Sequence, residues 1–111
     1  MDILIYARES DRSSAFEDVK DYFSQEFKDK EFEWKCTGQM LSASLQISEE
    51  EITGAFRELV KRYPQLDVKA VSSRDIREDD RSAQWWQTTE IYSVEENGEK
   101  KIVSSSNTYW N

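Results

Sequence analysis

The 111-residue sequence contains no histidine, the side chain most often used as a general base, a metal ligand or a switch near neutral pH. It contains one cysteine, Cys36, so neither an intramolecular disulfide nor a cysteine-rich zinc site can form. No glycine-rich phosphate loop, nucleophile elbow or EF-hand loop is present. The carboxylates lie in polar runs rather than in apolar surroundings that would separate their pKa values. We therefore predict a protein that is not an enzyme and needs no cofactor and no metal.

Proline and glycine are also scarce, with one and three residues respectively, which excludes low-complexity disorder and collagen-like structure. No apolar run approaches the roughly 20 residues that a membrane span requires. Met1 is followed by Asp2 rather than by a basic and then apolar leader. A single unpaired thiol without a secretion signal is typical of a reducing compartment. We expect a cytoplasmic protein with no membrane partner.

Apolar periodicity and capping signals predict the order strand, helix, strand, strand, helix, strand and hairpin. The first helix is expected to start at a capping box of Ser14 and Glu17, and the second at a capping box of Ser48 and Glu51. Pro64 is expected to end the second helix. The strands are predicted around residues 3–7, 32–36, 41–47 and 66–70, where apolar and polar residues alternate or run together. Within the second strand, Cys36 shares a face with Phe32 and Trp34, and we expect it to be buried.

An Asn97-Gly98 dipeptide separates two β-forming segments, 85–94 and 100–110, and is the strongest short signal for a hairpin. A two-residue turn at this dipeptide fixes the register of the two strands. That register pairs Glu96 with Glu99, Glu95 with Lys100, Tyr92 with Val103, Trp86 with Tyr109 and Trp85 with Trp110. Opposite charges and aromatic residues then face each other, and such pairs each contribute roughly 0.2–1 kcal/mol.

These elements predict a single α+β domain over residues 1–111. Right-handed crossovers pair the first strand with the third and the fourth, which gives a ferredoxin-like βαββαβ antiparallel sheet with both helices on one face. A C-terminal hairpin over 85–110 extends this sheet. The polar segment 72–84 is expected to be a long charged loop.

The segment 58–68, with the sequence ELVKRYPQLDV, resembles the second helix and following strand of small ferredoxin-like domains in phage and plasmid proteins. The resemblance covers about a tenth of the chain. It implies a fold and a mobile-element origin, and it carries no catalytic residues across. As a small, acidic, histidine-free domain, the chain is also similar as a class to phage-encoded inhibitors of host defence, such as anti-CRISPR proteins.

Charge is the main functional signal, because acidic residues outnumber basic ones by 23 to 15 and the formal net charge is −8. Residues 1–55 carry thirteen acidic and six basic side chains, so the excess lies in the first half. An array of carboxylates suits a partner protein with a basic, nucleic-acid-binding surface, and it would speed association by steering. The alternative is a solvated face that keeps the protein soluble. Direct binding of nucleic acid is disfavoured because the chain has no basic stripe.

The candidate partner-binding residues are acidic groups on the two helices and in the loop, and aromatic groups at the open end of the hairpin. They are Glu17, Asp18, Asp21, Glu49, Glu50, Glu78, Asp79, Asp80, Trp85, Trp86, Tyr109 and Trp110. We predict an inhibitor that occupies a basic surface of another protein, with the aromatic residues as anchors. Two alternatives stay open. One is a small-molecule-binding or sensor domain that uses the Trp-rich hairpin, and the other is a self-assembling structural protein or homodimer that pairs along the hairpin edge.

Overall fold

The computed structural model describes the backbone of residues 1–7, 12–76 and 85–110, and their side chains except at 12–14, 74–76, 85, 109 and 110. Within these ranges the chain forms two helices and six strands. Their bounds are β1 Asp2–Tyr6, α1 Arg12–Glu26, β2 Lys35–Thr37, β3 Met40–Ser44, α2 Glu49–Arg62, β4 Asp67–Ile76, β5 Trp85–Glu96 and β6 Glu99–Trp110. The predicted order of elements is confirmed.

The six strands form one sheet in the order β2-β3-β1-β4-β5-β6, and every neighbouring pair is antiparallel. The α+β class is therefore confirmed. Strand β1 pairs with β3 on one side and with β4 on the other, as expected. Ile3 lies opposite Ala43 and Ala70, and Ile5 lies opposite Leu41 and Val68, so apolar side chains from three strands share one face of the sheet.

One buried cluster combines this face with apolar residues of both helices. Its largest fully buried side chains include Phe23 of α1 and Phe56 of α2. The ring of Phe23 lies 5.5 Å from that of Trp34 and 5.8 Å from that of Phe32, both at steep angles, an arrangement that aromatic pairs favour. Ile91 of β5 also belongs to the cluster, so the core extends to the fifth strand.

The two helix starts differ from each other. In α2 the predicted capping box is confirmed: Glu51 N donates to Ser48 Oγ at 3.1 Å, and Ser48 N donates to Glu51 Oε1 at 3.4 Å. In α1 the prediction of an N-cap at Ser14 is wrong, because the helix already begins at Arg12. An N-cap residue has non-helical backbone angles, so a residue within the first turn cannot serve as one. The spacing of serine and glutamate at three residues also occurs inside helices.

Strand β2 is shorter than expected and does not bury Cys36. It comprises only Lys35–Thr37, and all three residues are exposed. Phe32 and Trp34 pack against the core from the segment before the strand, and Cys36 lies opposite the buried Leu41 but is itself exposed. Because β2 is the outermost strand on this side of the sheet, its short length leaves the thiol in solvent.

The hairpin register is confirmed in full, from Glu96 opposite Glu99 to Trp85 opposite Trp110. Asn97 and Gly98 both have positive φ, 54° and 81°, as a type I′ turn requires. The expected loop over 72–84 is wrong in its first part, because residues 72–76 continue β4 and pair with β5. The partner strand satisfies their backbone, and Ser73 Oγ lies 3.1 Å from Thr88 Oγ1 across the ladder. Residues 77–84 lie outside the described residues.

Lys100 ties the hairpin to the connection between α2 and β4. Its ammonium donates to the carbonyls of Pro64 at 2.7 Å and Leu66 at 2.6 Å, and it lies 2.9 Å from Asp67 Oδ1. Only 11% of the Lys100 side chain is exposed. One cation therefore satisfies two carbonyls that follow the helix and fixes the position of the turn at residues 97 and 98.

The positive φ of Gly98 predicts that alanine substitutions at two glycines change the free energy of unfolding in opposite directions. Gly98→Ala is expected to lower the free energy of unfolding by about 1–2 kcal/mol, because alanine disfavours a φ of +81°. Gly54→Ala, in the exposed middle of α2 with no atom within 4 Å of the added Cβ, is expected to raise it by about 0.5–1 kcal/mol. Urea denaturation measures both, and equal effects would contradict the turn assignment.

The contacts of Lys100 predict that substitutions at two neighbouring lysines have very different effects on the free energy of unfolding. Lys100→Met is expected to lower the free energy of unfolding by about 1–3 kcal/mol, since it removes the donor from two carbonyls. Lys101→Met is the matched control, because the Lys101 side chain is 54% exposed and its ammonium lies 3.6 Å from Glu96 Oε2, and a change within about 0.5 kcal/mol is expected. Thermal or urea unfolding compares the two. Equal losses would show that the hydrogen bonds of Lys100 to the two carbonyls make no specific contribution to stability.

Candidate functional site

Helices α1 and α2 line opposite sides of one groove, and side-chain contacts join them near the end of α2. Near the end of α2, Tyr63 Oη donates to Asp18 Oδ2 of α1 at 2.9 Å. The guanidinium of Arg62 lies 5.2 Å from the ring centre of Tyr22, within the range of a cation–π interaction. The start of α2 then lies beside the residues at the end of α1, which brings two acidic regions of the sequence together.

A groove of about 610 Å³ runs between the two helices. Five of its ten lining residues are acidic and one, Arg62, is basic. We call it the acidic groove and define it by its carboxylates: Glu26, Asp29, Glu50, Glu51 and Glu58. The floor and walls include Tyr22, Phe27 and Ala55. The acidic groove therefore brings five like charges from two helices around one cavity.

The five carboxylates are not equivalent. Glu51 is held by the capping box of α2, and Glu58 Oε1 lies 3.0 Å from Arg62 Nε. Glu26, Asp29 and Glu50 are exposed, and none of them has an ion pair or side-chain hydrogen bond within the described part of the chain. These three carboxylates are therefore available to an external cation.

Two tyrosines have raised pKa values, Tyr22 in the acidic groove and Tyr63 beside Asp18. Burial, followed by the nearby charges of Glu26 and Glu58, raises the pKa of Tyr22 above its usual value, and Arg62 opposes the increase. The hydrogen bond to Asp18 is the main cause that raises the pKa of Tyr63. In both cases a carboxylate penalises the phenolate, which adds a second negative charge nearby.

The structure separates the acidic residues chosen from the sequence. Glu17 lies 3.4 Å from Lys20, and Asp18 accepts the hydrogen bond from Tyr63, so these two already have partners on the helices. Asp21 is exposed on α1. Glu49 and Glu50 both lie in the first turn of α2, and of the five only Glu50 lines the acidic groove.

The remaining candidates lie in the loop and at the open end of the hairpin. Glu78, Asp79 and Asp80 fall outside the described residues. Trp85, Trp86, Tyr109 and Trp110 occupy the expected register positions of β5 and β6. Trp86 is half-buried, and the side chains of the other three are outside the description, so an aromatic patch at this end stays a prediction.

Sequence reasoning missed four groove residues, Glu26, Asp29, Glu51 and Glu58, as candidate binding groups. Glu26 and Asp29 were recognisable as part of the acidic excess near the first helix, but their spacing carries no sign of a shared cavity. Glu58 is four residues before Arg62, a spacing typical of an ordinary helix ion pair. Only the contact between the helices brings these residues to Glu50.

A second groove, of about 620 Å³, lies on the other side of α2, between this helix and the start of β6. Its basic lining residues are Arg57, Lys61, Lys100 and Lys101, and its one acidic lining residue is Glu99. Lys100 and Lys101 are occupied by the contacts described above. The two sides of α2 thus differ in the sign of their charge.

Comparison with known proteins does not assign a family. No protein-family model matches the chain, and a search of curated proteins gives no match. Among the described residues, no group of three or more acidic or cysteine side chains is arranged to hold a metal ion. Neither α1 nor α2 has the length and apolar character needed to cross a membrane.

The negative charge of the acidic groove predicts that the pKa of Tyr22 depends on Glu26. Absorbance at 295 nm, taken as the difference between the wild type and Tyr22→Phe, is expected to give a pKa above the ordinary 10. Glu26→Gln is expected to lower this pKa without restoring the ordinary value, because burial remains. The neutral phenol stabilises the fold fully below about pH 10, and its contribution is lost as the pH rises through the raised pKa. An unchanged pKa in Glu26→Gln would contradict the placement of this carboxylate.

Proposed function

We propose that this chain is a non-enzymatic acidic protein-binding domain that inhibits a partner by occupying its basic, nucleic-acid-binding surface. The observation that carries the proposal is the acidic groove, where Glu26, Asp29 and Glu50 lie together without cationic partners among the described residues. Lysine or arginine side chains of a partner would form ion pairs with these three carboxylates. Arginine suits the site best, because its planar guanidinium donates two parallel hydrogen bonds to a carboxylate.

A protein partner fits this charge better than a nucleic acid does. Binding to phosphates requires a surface rich in lysine and arginine, whereas this chain has a net charge of −8. A protein that binds nucleic acid carries the opposite charge on its binding surface. The acidic groove would steer such a surface during encounter, and the attraction would weaken as salt shortens the Debye length from about 10 Å at 0.1 M to about 3 Å at 1 M.

The proposal includes a ferredoxin-like domain with both helices on one face of the sheet, extended by the β5–β6 hairpin. The strand order β2-β3-β1-β4 within the sheet supports this arrangement. So does the single buried cluster, which joins apolar residues of α1 and α2 to Ile3 and Ile5 of β1. The proposed inhibitor is of the phage or mobile-element type, with anti-CRISPR proteins as one such class, and acts in the cytoplasm.

The test neutralises the three unpaired carboxylates together in the variant Glu26→Gln/Asp29→Asn/Glu50→Gln. A control of the same net charge neutralises the exposed glutamates around the hairpin turn, Glu95, Glu96 and Glu99. The probe is a fluorescently labelled arginine-rich peptide, and the readout is anisotropy at low and high salt. We expect the groove variant to bind at least about tenfold more weakly, which corresponds to about 1.4 kcal/mol.

The control variant is expected to bind the peptide within about threefold of the wild type, since it changes the net charge without changing the groove. The same three proteins then serve as baits in bacterial lysate. A nucleic-acid-binding protein retained by the wild type and the control, but not by the groove variant, would identify the partner. Equal weakening in both variants would show that only net charge matters, and it would contradict a site at the acidic groove.

A further inference from the structure

Strand β6 forms one edge of the sheet over its full length. It pairs with β5 at twelve consecutive positions without a bulge, and no strand in the described ranges lies on its outer side. Strand β2 at the opposite edge has only three residues and includes Lys35. Short length and lysine are two of the ways in which proteins prevent edge strands from pairing with other chains.

The outer edge of β6 lacks those protections. From Ile102 to Trp110 the strand has nine consecutive residues without a charge, and this stretch contains no proline and no glycine. The two lysines of the strand, Lys100 and Lys101, lie near the turn, and Lys100 is directed to the α2–β4 connection. A long, regular and uncharged edge is one that another strand can extend.

The hairpin turn determines which backbone groups of β6 are free for such pairing. In a two-residue hairpin, the residues next to the turn exchange hydrogen bonds, and bonded and non-bonded pairs alternate from there. Residues 99, 101, 103, 105 and 107 therefore direct their amides and carbonyls to β5. Residues 102, 104, 106 and 108 direct theirs outward.

We propose that β6 pairs with β6 of a second copy of this chain, antiparallel and centred on Ser105, to give a two-fold dimer with a continuous sheet. This register places Ser104 opposite Ser106 and Ile102 opposite Thr108 of the other copy. It joins the outward amides and carbonyls of residues 102–108 through about eight hydrogen bonds. Because the strands run in opposite directions, the lysines of the two copies lie at opposite ends and do not face each other.

A second copy suits this edge because the segment is self-complementary in size and in hydrogen bonding. Facing hydroxyl pairs already occur within the same sheet, where Thr89 Oγ1 lies 3.1 Å from Ser106 Oγ and Ser73 Oγ lies 3.1 Å from Thr88 Oγ1. The register repeats such pairs across the interface at residues 104–106. The acidic groove does not contribute, because it lies between α1 and α2. The groove between α2 and β6 has four basic residues and one acidic residue among the nine that line it.

Sedimentation equilibrium and hydrogen–deuterium exchange of the full chain test the proposal. We expect a monomer–dimer equilibrium with a dissociation constant between about 1 µM and 1 mM, which corresponds to weak protein association. At high concentration the amides of 102, 104, 106 and 108 are expected to become protected, while those of 101, 103, 105 and 107 are protected at every concentration. A monomer throughout this range, or dimerisation without this alternation, would overturn the proposal.

Two pairs of lysine substitutions test the edge directly. Ser104→Lys/Thr108→Lys adds charge to the exposed pairing segment and is expected to weaken dimerisation at least about tenfold. Thr37→Lys/Ser44→Lys adds the same charge at exposed positions near the other edge of the sheet, and it is expected to leave dimerisation within about threefold. Equal effects would overturn the proposal. If the first variant does not fold, the exchange pattern of the wild type decides. The neutralised groove variant is expected to dimerise normally, so the two proposals fail independently.

Discussion

The two-residue turn at Asn97 and Gly98 sets the geometry of the C-terminal half of the sheet. Both residues have positive φ, and the twist of a type I′ turn matches the twist of the strands that it joins. Side chains alternate between the faces, so a one-residue slip of β6 would turn Ile102 from the core and Lys100 from the carbonyls after α2. The turn therefore controls both the extension of the sheet and the attachment of the helix connection.

The features that could be predicted from the sequence are those with local signals. Ser48 and Glu51 satisfy each other's backbone amides within one turn, and so the start of α2 needs no tertiary information. Asn97 and Gly98 specify a turn type, and that turn type specifies twelve strand pairs. The pairing of β1 with β3 and β4 followed from the handedness of crossovers, a general property of chains of L-residues.

The features that were missed depend on neighbours distant in sequence. Cys36 alternates with Trp34, but burial requires a covering element, and β2 is an exposed edge. Residues 72–75 are all polar and have the composition of a loop, yet β5 supplies the hydrogen bonds that make residues 72–76 a strand. The acidic groove joins Glu26 to Glu50, and no local pattern reports the contact between the two helices that brings them together.

Helix α2 separates the acidic groove from a groove whose charged lining residues are mostly cations. Glu50 lies on the flank that contacts α1, and Arg57 and Lys61 lie on the flank beside β6. The macrodipole of a helix runs along its axis, whereas this separation of charge runs across the axis. A positively charged protein that approaches this surface would therefore experience a torque as well as an attraction, which favours one orientation over the others. Two partners of equal net charge would then be distinguished by the spacing between their own positive and negative patches.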